Sequence, residues 1–149
     1  SGYTGVVREL LEKGADPNAR FQRYDNLTPL MAAAQEGHRD VAELLLDHGA
    51  EVNARTTTGD TALIAAVSQG DPALIDLLLA RGADVNLRTD SGYTALFIAV
   101  SDGRLALVDR LLEAGADPEV EDANGDTVLD LADRIKDPAI IERLESAQR

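Results

Sequence analysis

The 149-residue sequence has a formal net charge of −13, and 44% of its residues are hydrophobic whereas only 3% are aromatic. Binding to phosphate groups needs clustered lysine and arginine, so this charge argues against nucleic acid or an anionic membrane as a partner and favours a protein with a basic surface. The chain has no cysteine, which excludes disulfide bonds and thiolate chemistry, and it has no run of about 18 apolar residues that could span a membrane.

A segment of 33 residues recurs along the chain, and each copy contains a threonine followed two positions later by a leucine. These threonines are Thr28, Thr61, Thr94 and Thr127. Glycine recurs at the same interval at Gly49, Gly82 and Gly115. The earlier Gly14 lies 35 residues before Gly49, so the connection between Asn18 and Thr28 carries two extra residues. A fixed interval of this size indicates a repeat protein.

The first predicted element is a partial repeat at residues 1–18. Its phrase LLEKGADPN matches the later phrases LLLDHGAEVN, LLLARGADVN and LLEAGADPE, which we assign to the end of a second helix. The chain therefore starts inside a repeat, without the first helix of that repeat. A fragment of a longer protein and an atypical N-terminal cap both explain this start.

Three full repeats follow, at residues 19–53, 54–86 and 87–119, and we predict a pair of helices in each. The threonine is placed to accept a backbone N–H as the N-cap of the first helix, and Pro29 suits the first helical position. The predicted buried stripe of the first helices consists of Leu30, Leu63, Leu96 and Leu129, followed by Ala33, Ala66, Ala99 and Ala132. The predicted core of the second helices is Val41, Leu44, Leu45, Leu74, Leu77, Leu78, Leu107, Leu111 and Leu112.

Glycines divide these elements at regular places. Gly37, Gly70 and Gly103 separate the two helices of a repeat, and Gly14, Gly49, Gly82 and Gly115 follow the second helix. A helix often ends in a left-handed residue, which glycine adopts without steric cost. Gly59, Gly92 and Gly125 suit hairpin tips with a positive φ, and Asn26 occupies the same position in the second repeat.

The last predicted element, residues 120–149, is a more polar helix pair that suits a C-terminal capping repeat. Its polar residues include Asp130, Asp133, Arg134, Lys136, Glu142, Arg143 and Glu145. A terminal repeat covers the exposed end of a stack, so polar side chains are expected on its outer face.

The first helices carry the phrases TPLMAAAQEGH at 28–38, TALIAAVSQGD at 61–71, TALFIAVSDGR at 94–104 and TVLDLADRIKD at 127–137. With the 33-residue interval, these phrases resemble the ankyrin-repeat family, over nearly the whole chain and about four and a half repeats. The family histidine is replaced by Met31, Ile64, Phe97 and Asp130. The resemblance implies an all-α solenoid in one domain, residues 1–149, with helix-turn-helix units joined by β-hairpin loops. It also implies a non-catalytic module that binds a protein partner through a concave face.

Other sequence features favour structural roles over chemistry. Asp122, Asn124 and Asp126 copy the first ligand positions of a calcium-binding EF-hand loop, but Thr127 stands where that loop needs glycine, so we predict a turn and no metal site. His38 and His48 lack a second histidine at helical spacing, and we predict that His48 contacts a terminal helix carbonyl. No cofactor-binding or catalytic motif is present in the sequence, and we expect no enzyme activity.

An insertion with two aromatic and two arginine residues, at Arg20, Phe21, Arg23 and Tyr24, contributes nothing to stacking, so we predict that it contacts a partner. The full predicted contact set is Arg20, Phe21, Arg23, Tyr24, Met31, Arg55, Thr57, Asp60, Ile64, Arg88, Asp90, Tyr93, Phe97 and Asp102. An alternative places Phe97 inside the stack and Tyr93 over a hairpin stem.

The functional hypothesis is a protein-interaction module, acting as an inhibitor or an adaptor on a partner with a basic surface. The alternative is a structural or engineered repeat scaffold with no natural ligand. We expect a soluble monomer, with a cytoplasmic location favoured and a periplasmic or secreted one left open, because a cysteine-free chain tolerates reducing and oxidising compartments.

Overall fold

The computed structural model describes residues 2–148, which form nine α-helices and a short 3-10 helix at Gln22–Tyr24, with no strand in that range. The helices are α1 (Gly2–Glu12), α2 (Pro29–Gln35), α3 (Arg39–Asp47), α4 (Ala62–Gln69), α5 (Pro72–Ala80), α6 (Ala95–Ser101), α7 (Leu105–Glu113), α8 (Val128–Ile135) and α9 (Pro138–Ala147). The predicted all-α repeat fold is confirmed. Within residues 2–148, every helix is too short to cross a bilayer.

The chain divides into two compact units. Unit 1 ends at Ala83 and holds α1 to α5, and unit 2 begins at Asp84 and holds α6 to α9. In unit 1, α2 packs on α3 and α4 on α5, and like helices stack as α2 on α4, α1 on α3 and α3 on α5. Unit 2 repeats this arrangement, with α6 on α7, α8 on α9, α6 on α8 and α7 on α9. The boundaries of the repeats and the single domain remain sequence predictions.

Threonine caps every first helix, as the sequence predicts. The hydroxyl oxygens of Thr28, Thr61, Thr94 and Thr127 accept hydrogen bonds from the backbone N–H groups of Met31, Ile64, Phe97 and Asp130 at 3.3, 3.2, 3.3 and 3.3 Å. At α8 the cap is reciprocal, because the Asp130 carboxylate also accepts from the Thr127 backbone N–H at 2.8 Å. Each cap satisfies a backbone donor that the first helical turn leaves without a partner.

The connections between repeats, which the resemblance implies to be β-hairpin loops, are tight turns without an assigned strand among residues 2–148. Two backbone hydrogen bonds close each later turn, such as those from the Thr56 N–H to the Asp60 carbonyl at 3.0 Å and from the Gly59 N–H to the Thr56 carbonyl at 3.1 Å. The first connection contains a single antiparallel bridge, between Phe21 and Leu27. These segments are too short for a ladder of paired strands, and two isolated strands would be only marginally stable.

The predicted left-handed glycines are confirmed, and Gly92 shows why one of them is needed. Its φ is +83°, and a Cβ at this position would lie 2.7 Å from the Cα of Asp122. The turn of the fourth repeat therefore touches the turn of the next repeat backbone to backbone, and the Ala123 N–H donates to the Ser91 carbonyl at 2.9 Å. Only glycine fits both the dihedral angle and the space.

The core consists of small and aliphatic side chains, as the sequence predicts. Leu30, Leu63 and Leu96 are at most 2% exposed, and the alanines of the stripe are at most 4% exposed. Four predicted core residues are half-buried: Val41, Leu77, Leu112 and Leu129. Leu129 belongs to α8, and no helix in residues 2–148 follows its repeat to cover it.

Candidate functional site

The two-residue insertion folds into a compact turn at residues 20–27, which we call the inserted hairpin. The Phe21 N–H donates to the Leu27 carbonyl at 3.0 Å, the Tyr24 N–H to the Phe21 carbonyl at 2.9 Å, and the Leu27 N–H to the Tyr24 carbonyl at 2.9 Å. These three bonds satisfy much of the local backbone, so the segment has a defined conformation.

The inserted hairpin holds two aromatic side chains in solvent. Phe21 is 48% exposed and Tyr24 is 70% exposed, and Arg23 between them is exposed as well. Aromatic side chains and arginine contribute most of the energy of protein interfaces, because each buries a large area while few torsions are fixed. An exposed aromatic pair on an ordered turn has the chemistry of a contact surface.

The neighbouring turn of unit 1 braces the inserted hairpin. The Thr57 N–H donates to the Asp25 carbonyl at 2.9 Å, and the Thr57 hydroxyl donates to Asp25 Oδ1 at 3.2 Å. The Arg20 guanidinium donates to the Arg55 carbonyl at 2.9 Å. Thr57 and Arg20, both predicted as partner contacts, therefore also hold the turn in place. A rigid turn loses less entropy on binding a partner.

Two adjacent residues of the inserted hairpin adopt left-handed backbone angles although neither is glycine. Asp25 has φ 53° and Asn26 has φ 58°. This conformation costs about 1–2 kcal/mol for an ordinary residue, although Asn and Asp tolerate it best. Strained backbone of this kind concentrates at functional sites, where surrounding contacts hold it in place.

A groove of about 290 Å³ runs between α2 and α4 in unit 1, next to the inserted hairpin, and Leu27 lines it. Met31, Ile64 and Ala65 form its apolar side. Its polar lining consists of Gln35, Thr56, Asp60, Thr61, Ser68 and Gln69. A groove lined by both apolar and polar side chains suits a polypeptide ligand.

Three predicted contact residues are buried rather than exposed. Met31, Ile64 and Phe97 are 2%, 5% and 2% exposed, so they offer a partner only the edges that line grooves. Each lies in a first helix that packs against the first helix of a neighbouring repeat, α2 with α4 and α6 with α8. Phe97 thus takes the alternative role, inside the stack.

In unit 2, a second groove of about 190 Å³ is lined by Tyr93, Phe97, Leu131 and Arg134. Tyr93 is 39% exposed, and its ring centre lies 5.6 Å from that of Phe97. The other predicted contacts of this unit are Arg88, Asp90 and Asp102, all exposed. The Asp102 carboxylate forms an ion pair with Arg104 at 3.5 Å.

The predicted contact set lacks seven residues that line the groove of unit 1: Leu27, Gln35, Thr56, Thr61, Ala65, Ser68 and Gln69. Gln35 and Ser68 stand four positions after Met31 and Ile64, so helical spacing was the signal that could have found them. The Gln69 side chain donates to the Gln35 carbonyl at 2.8 Å and closes this end of the groove.

The string that resembles a calcium loop forms a turn. Asp122 Oδ1 accepts the backbone N–H groups of Asn124 and Asp126 at 2.7 and 3.1 Å. Burial raises the pKa of Asp122, but these backbone hydrogen bonds and that of the Asn124 side chain outweigh it and hold the pKa below its ordinary value. The Asp122 carboxylate therefore stabilises its own turn.

Both histidines make contacts with other residues of the chain. His48 Nδ1 lies 2.9 Å from the Leu44 carbonyl, which confirms the predicted contact at the end of α3. The ring of His38 stacks on that of Tyr3, with centroids 6.2 Å apart. Among residues 2–148, no three histidine, aspartate or glutamate side chains are grouped so that they could hold a metal ion.

Comparisons with known proteins agree with the repeat geometry. A family model described as ankyrin repeats (3 copies) matches residues 1–89 and 63–144. An ankyrin repeat protein of fowlpox virus is 48% identical over 61 residues, which cover 40% of this chain and 18% of that protein. The human ankyrin repeat and KH domain-containing protein 1 is 44% identical over 61 residues, 41% of this chain and 2% of its own length.

The mouse 2-5A-dependent ribonuclease is 47% identical over 55 residues, which cover 37% of this chain and 7% of the ribonuclease. In all three relatives, the match spans less than a fifth of the protein. The similarity therefore concerns a short series of repeats and extends to none of these proteins as a whole.

Proposed function

The chain belongs to the ankyrin-repeat family, whose repeats are in general non-catalytic protein-interaction modules, and on that premise we propose that its inserted hairpin and the groove of unit 1 bind a partner protein. The proposed contact surface is formed by the turns and the first helices of the repeats. The chain itself performs no chemistry in this proposal. Tyr93, Arg88 and Asp90 of unit 2 are proposed contacts of the same kind.

The exposed aromatic pair of the inserted hairpin carries this proposal. Phe21 and Tyr24 expose about half and two thirds of their surface, although the repeat needs neither for its core. The turn that presents them is braced by Thr57 and strained at Asp25 and Asn26. A stacking role explains the Thr57 bond and the left-handed angle of Asn26, because both recur at the corresponding positions of later turns. It does not explain the exposure of the two aromatic rings, which a preorganised contact does explain.

The net charge of −13 supports a partner with a basic surface. Complementary charge accelerates encounter and selects partners more than it adds to affinity. An acidic module that covers a basic cleft would act as an inhibitor, and one that joins two proteins would act as an adaptor. The charge is compatible with both roles.

Affinity purification with three forms of the chain tests the proposal. We expect the wild-type chain to retain a partner that the double variant Phe21→Ala/Tyr24→Ala retains poorly, with quantitative mass spectrometry as the readout. Ile135→Ala is the matched control, because Ile135 is another large apolar residue that is 39% exposed but lies in α8 of unit 2.

Equal recovery of the same proteins by the wild type and the double variant would contradict the proposed surface. Recovery of no specific protein by any form would favour the scaffold without a natural ligand. Thermal unfolding of all three forms serves as the folding control, because substitutions of exposed side chains usually change stability by less than about 0.5 kcal/mol.

A further inference from the structure

The grooves of the two units are built from the same positions of the repeat. The groove of unit 1 lies between α2 and α4, and that of unit 2 is lined by residues of α6, of α8 and of the turns before them. Applying the 33-residue interval twice matches the lining of one groove to that of the other. Three such pairs are Leu27 and Tyr93, Ala65 and Leu131, and Ser68 and Arg134. The contents of the two grooves can therefore be compared position by position.

The groove of unit 2 already holds a guanidinium group. Arg134 of α8 lines this groove, and its Nη1 atom lies 2.7 Å from Oδ2 of Asp126, in the turn that precedes the same helix. The groove measures about 190 Å³, against about 290 Å³ in unit 1, and the larger side chains of Leu131 and Arg134 account for the smaller space. An arginine side chain and a carboxylate thus fit together at this place in the repeat.

The groove of unit 1 has the carboxylate but lacks the arginine. Asp60 stands at the position of Asp126, in the turn before α4, and it is half-buried. Ser68 stands at the position of Arg134, and its hydroxyl donates to the Ile64 carbonyl on its own helix at 3.0 Å. The space that the Arg134 side chain fills in unit 2 is therefore open in unit 1.

The Asp60 carboxylate makes this open space suitable for a cation. Its Oδ2 atom accepts a hydrogen bond from the Thr58 hydroxyl at 2.8 Å, and within residues 2–148 the carboxylate forms no ion pair. Asp60 is the one charged residue among the described residues that line the groove. A partly buried carboxylate is screened by salt less than an exposed one, so a cation beside it is attracted more strongly.

We propose that the groove of unit 1 binds an arginine side chain of the partner protein, with its guanidinium group on the Asp60 carboxylate and its aliphatic stem along Ala65. This inference rests on the proposed function and names the residue that the partner supplies. Arginine suits the site better than lysine, because its planar guanidinium group can bond both carboxylate oxygens and is more weakly hydrated. The half-buried methyl group of Ala65 offers an apolar contact for the stem.

Selection of a displayed library of random peptides against the wild-type chain tests the proposal. Peptides that bind the groove are identified with Ala65→Leu, which fills part of the groove and should weaken their binding at least about tenfold. We expect these peptides to share an arginine at one position. Replacing that arginine by lysine or by alanine should weaken binding at least about fivefold, because the bidentate contact is lost.

Variants of the chain then locate the contact, with fluorescence anisotropy as the readout. Asp60→Asn should weaken binding of an arginine-containing peptide at least about fivefold and hardly affect the same peptide with alanine in place of the arginine, a coupling that marks a direct contact. Ser68→Arg should weaken binding as much, because its own guanidinium group would reach Asp60 as Arg134 reaches Asp126. The matched control is Asp133→Asn, which makes the same change in net charge as Asp60→Asn at an exposed position of α8 and should leave binding unchanged.

Groove-binding peptides without a shared arginine, or with an arginine whose binding Asp60→Asn does not affect, would overturn this inference and leave the proposed function standing. Equal affinity of the lysine-containing peptide would overturn the choice of arginine. If Ala65→Leu weakened none of the selected peptides, the groove would not be a binding site, and its part in the proposed function would fail as well. Circular dichroism of each variant checks that a loss of binding is not a loss of fold.

Discussion

At the scale of single residues, Gly92 is subject to two constraints at once. Alanine at a left-handed position lowers the free energy of unfolding by about 1 kcal/mol. Gly115 in the same unit has φ +87° and no atom within 4 Å of its Cβ position, so Gly115→Ala measures this backbone effect alone. At Gly92 the added methyl group would also press on the backbone of Asp122. We therefore expect Gly92→Ala to lower the free energy of unfolding by at least about 1 kcal/mol more than Gly115→Ala does.

Denaturant unfolding of the two variants measures this difference. Equal losses would mean that the turns of the fourth and last repeats are not in tight contact. Gly→Ala also reduces the entropy of the unfolded chain, but it does so equally at both positions and cancels in the comparison.

The Asp130 carboxylate makes stability depend on pH. Its hydrogen bonds from the Thr127 side chain and backbone hold the pKa of Asp130 below the ordinary value. A group with a lowered pKa in the folded state stabilises the fold above its unfolded pKa, and this contribution is lost as the pH falls below about 4. We expect Asp130→Asn to flatten the decline of the melting temperature between about pH 5 and pH 2.

Thermal unfolding across this pH range is the measurement, and Asp133→Asn, on the same helix, controls for the change in net charge. The account of the α8 cap would be wrong if the two variants showed the same pH dependence. The expected change in stability concerns unit 2, where α8 packs on α6 and α9.

At the scale of elements, α2 and α4 form the groove in which a partner side chain is proposed to lie. Ala65 lines this groove and is half-buried. A leucine at this position keeps the helix propensity high and fills part of the groove, so Ala65→Leu should weaken partner binding at least about tenfold with little change in stability.

Ala80→Leu is the control for this experiment, because Ala80 is exposed on the second helix α5 of the same unit. Titration calorimetry with the partner recovered by affinity purification compares the two variants. Full affinity in Ala65→Leu would place the contact outside the groove and confine the proposal to the inserted hairpin.

The sequence predicts the elements well where the chemistry is local. Thr61 caps the helix that starts next to it, and Gly82 ends the helix just before it, so the residue type and the helical period are sufficient. The burial of Ile64, which is 5% exposed, depends instead on packing against α2, one repeat earlier in the chain. Burial is set by packing between repeats, which one repeat does not reveal.

The candidate site was predicted in part for the same reason. The insertion interrupts a regular interval, so Phe21 and Tyr24 stand out in the sequence, and their exposure in the structure agrees with that reading. The bond from Arg20 to the Arg55 carbonyl joins two successive turns and gives no signal in either. The groove between α2 and α4 likewise exists only once two repeats are stacked.

At the scale of the whole molecule, the net charge of −13 governs how a partner approaches. Salt screens charges beyond about 8–10 Å at physiological ionic strength. If the partner has a basic surface, the association rate should fall steeply as salt is raised, while the dissociation rate changes little. Stopped-flow measurements at several salt concentrations test this, and an association rate independent of salt would contradict a basic partner.

The repeats also determine how stability is distributed over the molecule. In stacked repeats, stability is approximately a sum of contributions from each repeat and from contacts between neighbours. The inserted hairpin lies outside the helix contacts that stack the repeats, and its two aromatic rings point into solvent. Function and stability can therefore be changed separately at this turn.

The central claim is that the inserted hairpin contacts a partner protein, and the dissociation constant of Phe21→Ala/Tyr24→Ala for the purified partner tests it most directly. We predict binding at least about tenfold weaker than that of the wild type and of Ile135→Ala, with the melting temperature unchanged. An unchanged dissociation constant in the folded double variant would contradict the claim.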